Sequence, residues 1–152
     1  MLRKIKSFIF GSETEEIIGA NTEDPVAAAA TALLIEMAVM DGAFDANERD
    51  TVVRLISQRF DLDRSEIAKL VTDVETAVSG SVELFSFTRI LRDDFDHLDR
   101  IKMIEMLWEV AYADGILHDF ESNLIRRATG LLHVSDLESG AARKRVLEQL
   151  DI

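Results

Sequence analysis

A chain of 152 residues with 17 basic and 29 acidic side chains carries a formal charge of −12, so most of its surface repels phosphates and nucleic acid is not an expected partner. It contains no cysteine, which excludes disulfides, thiolate nucleophiles, iron–sulfur clusters and cysteine zinc sites. With 47% hydrophobic residues and one proline, it is long enough to bury roughly two-thirds of its unfolded surface around a core.

Residues 1–10 (Met-Leu-Arg-Lys-Ile-Lys-Ser-Phe-Ile-Phe) combine three basic groups with apolar ones at helical spacing. They read as a flap on the domain or a frayed end, and alternatively as a weak membrane-surface contact. The apolar part is too short for a signal peptide and no run of about 18 apolar residues follows anywhere, so the cytoplasm is the expected compartment. Gly11 to Glu23 reads as an acidic linker, which divides the chain into a 1–24 segment and a 25–152 domain.

Asp24-Pro25 has the chemistry of a helix start, and the almost wholly apolar, alanine-rich run Val26 to Met40 predicts a central helix covered on most sides. Gly42 is placed to stop it in the left-handed conformation. Asp45 and Glu48 have capping-box spacing and open a second helix through Phe60. Asp63 and Glu66 repeat that spacing before a third, ending near Val78, and Gly80-Ser81 break the chain. A fourth helix is predicted over Val82 to Phe95, a fifth over Leu98 to Ala113, and a sixth over Asp119 to Gly130. Ser135 and Glu138 then cap a seventh. No period-2 stretch interrupts the helical pattern, so the fold class is all-α: about seven helices in one compact domain, as two pseudo-repeated three-helix units joined by a linking helix.

A cassette written twice carries the functional interest. Ile35-Glu36-Met37-Ala38-Val39-Met40-Asp41-Gly42 with Glu48 returns as Trp108-Glu109-Val110-Ala111-Tyr112-Ala113-Asp114-Gly115 with Glu121, the two copies 73 residues apart. Each places an aspartate at the end of an apolar helix and a glutamate seven residues later, in the first turn of the next helix. Three readings follow. In the first, all four carboxylates bond local backbone amides and simply hold the corners. In the second, Asp41, Glu48, Asp114 and Glu121 offer oxygen ligands to a divalent cation, Ca²⁺, Mg²⁺ or Mn²⁺, assisted by Asp45, Asn47, His118 or Asp119. The spacing is not that of an EF-hand, because glycine follows the first aspartate directly and Val52 stands at the twelfth position. In the third, Glu36 and Glu109 act as acid and base from within apolar runs. That reading is the weakest: there is no paired Ser/His/Asp set, phosphate loop or HExxH. His97 and His133 are expected in structural roles near helix ends, and Arg126-Arg127 and Arg143-Lys144-Arg145 on solvated helix faces.

At these residues the chain resembles the TerB-like family of tellurite-resistance proteins. Leu107-x-x-x-Ala111-x-Ala113-Asp114-Gly115 with Glu121, Leu124 and Leu131-Leu132 looks like its signature, and Ala38-x-x-Asp41-Gly42 with Glu48 like a weaker first copy. The likeness spans about residues 25–150. It implies an all-helical cytoplasmic module linked to tellurite and stress responses, with Asp41, Glu48, Asp114 and Glu121 as metal-holding acids; the expected role is a non-enzymatic binding and adaptor module working with another protein, the alternative a membrane-surface stress protein anchored by residues 1–10. Met40 departs from the alanine usual before Asp-Gly. Without thiols, direct reduction of a tellurium oxyanion is not expected.

Overall fold

The computed structural model describes residues 25–39, 45–78, 84–113 and 115–152. The expectations for residues 1–24, for Met40 with Asp41-Gly42, for Gly80-Ser81 with Val82, and for Asp114 therefore lie outside the described residues. Among the described residues there are seven helices and no strand: α1 Pro25–Val39, α2 Ala46–Arg59, α3 Arg64–Val78, α4 Leu84–Asp94, α5 His97–Ala111, α6 Asp119–Leu132 and α7 Asp136–Leu150. The all-α expectation holds, and none of these helices is long and apolar enough to cross a membrane.

α1 is the hub. From Ala27 to Ile35 every residue is buried, because α2, α3, α4 and α5 all pack against it. Four consecutive alanines, Ala27 to Ala30, carry so little bulk that neighbours can close around the helix on every side. Thr31, the polar residue in this run, satisfies its hydroxyl by donating to the Ala27 carbonyl at 2.7 Å. Leu33, Leu34 and Met37 from α1 meet Ile56, Ile67, Ile90 and Leu91 in one core, continued through α5 by Met103, Ile104 and Leu107. α5 is the second hub, touching α2, α6 and α7 besides α1, while α4 bridges α1 and α6.

The two halves match element by element. α1, α2 and α3 have 15, 14 and 15 residues, as do α5, α6 and α7. Each first helix packs on the second and third of its own half. The boundaries differ from the sequence expectation at α5 and α6, and α5 ends at Ala111, two residues before the expected Ala113. α5 begins at His97 because Asp96 caps it, accepting from the Asp99 amide at 2.8 Å. α6 runs past Gly130 to Leu132, and His133 takes the left-handed turn instead, at φ 57°.

Candidate functional site

The helix starts after the two corners share a glutamate that accepts from the cap residue's amide. At α2 the Asp45 carboxylate accepts from the Glu48 amide at 2.8 Å, and Glu48 Oε1 accepts in return from the Asp45 amide at 3.4 Å. At α6 Glu121 Oε1 accepts from the His118 amide at 3.1 Å, while the His118 ring stacks parallel to Phe120 with centroids 5.3 Å apart. Both glutamates are buried, Glu48 to 7% exposure and Glu121 to 5%. A buried carboxylate in a helix's first turn is held there by its capping bonds and by the positive end of the helix dipole.

The chain path into the second corner is a tightening turn. Tyr112 donates to the Trp108 carbonyl at 3.0 Å, Ala113 to Val110 at 3.1 Å and Gly115 to Tyr112 at 2.9 Å. Gly115 sits at φ +83° with nothing within 4 Å of where a Cβ would stand, so conformation and not crowding calls for glycine here.

Of the four acids proposed as ligands, Glu48 and Glu121 are thus placed in matching caps, and Asp41 and Asp114 lie outside the described residues. Among the described residues no group of three or more His, Asp or Glu side chains is arranged to hold a metal ion. The auxiliary residues have local duties. Asp45 caps, the Asn47 carbonyl accepts from Thr51 at 2.9 Å, and Asp119 is exposed in the first turn of α6.

Glu36 and Glu109, the acid–base candidates, face arginines at matching positions of the opposite half. Arg54 of α2 reaches Glu109 of α5 at 2.7 Å, and the Glu109 side chain is only 13% exposed. Burial raises the Glu36 carboxyl above its ordinary range, and the charge of Arg127 on α6 acts against that rise. Arg54 and Arg127 stand 73 residues apart, as do the two glutamates. The two glutamates are thus each under the charge of an arginine from the other half, Glu109 in an ion pair and Glu36 through the field of Arg127.

The histidines have structural duties. His97 Nε2 lies 2.6 Å from Glu138, tying the start of α5 to the start of α7, and Glu138 is pulled down to about 2 by the Ser135 amide first and by His97 next. His133 forms the left-handed cap of α6. The Arg143-Lys144-Arg145 run is more engaged than a solvated face. Arg143 Nε donates to the Tyr112 hydroxyl at 2.7 Å with its guanidinium 5.5 Å from the Trp108 ring centroid, and Arg145 pairs with Glu105 at 3.1 Å. The cue for Arg143 was present in its spacing: Ser139 and Arg143 lie one turn apart, as do the aromatic residues Trp108 and Tyr112 that they meet.

The family model for tellurite resistance protein TerB matches residues 27–144, more than three quarters of the chain. No curated protein and no solved structure matches it.

Proposed function

Because this chain belongs to the tellurite resistance protein TerB family, we propose that it works as a non-catalytic binding module of a tellurite or stress response, acting in the cytoplasm on another protein. We propose further that its two Asp-Gly corners take up a divalent cation weakly, through Asp41 with Glu48 and Asp114 with Glu121. The observation that supports this is the matched burial of Glu48 and Glu121 at the two helix starts, each with Oε1 on an amide three residues back. A carboxylate has about four lone-pair sites, so capping does not exhaust what it can bind. The family supplies the response. The charge of −12 suits a cation or a basic protein surface.

The experiment is a thermal melt of metal-free protein with millimolar Ca²⁺, Mg²⁺ or Mn²⁺, read by helical signal and by the fluorescence of Trp108. A bound cation should stabilise by about 2.7 kcal/mol at one hundred times Kd. Replacing Asp41 and Asp114 by Asn, and Glu48 and Glu121 by Gln, should abolish the response while leaving the helices formed. No shift in the wild-type protein retires the cation and leaves the carboxylates as caps alone.

A further inference from the structure

One end of the molecule gathers the end of α4, the starts of α5 and α7 and the end of α6. His97 Nε2 lies 2.6 Å from Glu138, and Arg100 donates to the Leu132 carbonyl at 3.2 Å. Asp96 and Ser135 cap α5 and α7, and each helix carries a leucine two residues after its cap, Leu98 and Leu137. Each leucine is the chain neighbour of one partner in the His97–Glu138 bond, so the two flank it. Leu98 is 70% exposed and Leu137 84%.

A leucine at that position does nothing for its own helix start, because a hydrophobic staple uses the residue before the cap and the fourth one inside. The same position holds Asn47 in α2 and Ser65 in α3, and in α6 it holds Phe120, whose ring stacks on His118. Single exposed leucines are ordinary on a surface, whereas two beside one inter-helix bond form a patch. Its rim is acidic. Asp93, Asp94, Asp96, Asp99, Asp136 and Glu138 stand here with only Arg59, Arg92 and Arg100, an excess of three negative charges. Several of these acids cap or pair locally, which fixes their places and leaves the excess.

A second copy would bring the same sign to the patch and be repelled. The fitting occupant is apolar and carries positive charge. Residues 1–10 have that chemistry, with Arg3, Lys4 and Lys6 among Leu2, Ile5, Phe8, Ile9 and Phe10. The segment 11–24 can span about 45 Å when extended, against a radius of gyration of about 14 Å for a domain of this size, so the patch is within reach. We propose that residues 1–10 dock on this patch of their own chain, apolar side chains on Leu98 and Leu137 and basic groups against the acidic rim. Tethering holds the segment at an effective concentration of about millimolar, so a modest contact suffices. The contact is separate from the Asp-Gly corners and needs no cation there.

The test uses the full chain. It has no cysteine, so Ser12→Cys accepts a single nitroxide label beside the segment. The amide signals of residues 97–99 and 136–138 should broaden, independently of protein concentration. At the far end of α5, about 20 Å away, Ala111 and the exposed Ile116 should keep theirs. Leu98→Gln combined with Leu137→Gln, both at exposed positions, should reduce the broadening roughly tenfold with the helical signal intact. Arg3→Gln, Lys4→Gln and Lys6→Gln together should do the same, and Ile116→Gln should change nothing. Equal broadening at Ile116, indifference to the leucine or the basic substitutions, or broadening that grows with concentration, the mark of a second copy's segment, would each overturn the proposal. Unbroadened signals would overturn it too, and retention of that protein on phosphatidylserine vesicles would then assign residues 1–10 to a membrane surface.

Discussion

The pairings of α1 with α3 and of α5 with α7 occupy matching places in the two halves and are held by different chemistry. Where α1 and α3 present Ile35, Ile67 and Val71, all buried and apolar, the matching positions of α5 and α7 are Trp108, Ser139 and Arg143. There the Trp108 indole donates to Ser139 at 3.2 Å and Arg143 lies against Trp108 and Tyr112. The cause is position. α1 is buried without a break from Ala27 to Ile35, while the α5–α7 seam opens to solvent along Arg143. The same backbone pairing tolerates either solution, and the surroundings decide which one a half can use.

Exchanging one chemistry for the other should break the enclosed pair most. Ile67→Ser should cost about 3 kcal/mol or more in denaturant unfolding, because it removes buried carbon and leaves a hydroxyl in the core. Ser139→Ala at the equivalent site should cost about 1.5 kcal/mol, the value of leaving the indole N–H unpaired. If the two substitutions cost the same, the contrast between the pairs is not energetic. Gly115→Val should destabilise by about 1 kcal/mol through its positive φ, with Gly115→Asn recovering much of the loss in melting temperature. The smallest effect is expected at Glu138. Its carboxyl is depressed from 4.5 to about 2, so its contribution is present above pH 4.5 and fades as pH falls towards 2. The difference in melting temperature between wild type and Glu138→Gln should narrow over that window, and a constant difference would show that Glu138 acts without its charge.

Local signals were legible in the sequence. The spacings at Asp45, Asp63 and Ser135 are realised as bonds from the amides of Glu48, Glu66 and Glu138, at 2.8, 2.8 and 3.1 Å. Asp96 with Asp99 has that spacing too, with a shorter acid in the third place, which is why α5 begins earlier than its first apolar residue suggests. Gly130 was a misleading stop, because a solvent-facing glycine inside α6 is tolerated once the turn is made by His133. The candidate glutamates were legible as a pair from their repeat distance, and Glu48 and Glu121 as caps. What periodicity does not encode is which helix faces which. Arg54 lies 55 residues from Glu109 and His97 lies 41 from Glu138, and only the packing brings them together.

The ion pair of Arg54 with Glu109 and the charge of Arg127 acting on Glu36 bear on how the protein can be divided. Each half carries a glutamate whose countercharge is supplied by the other. A fragment ending at Val78 would hold Glu36 in an apolar helix without Arg127, and one beginning at Leu84 would hold Glu109 without Arg54. Resemblance between the halves therefore does not make them autonomous. Unfolding should be a single transition, and two separately expressed fragments should gain structure on mixing that neither has alone.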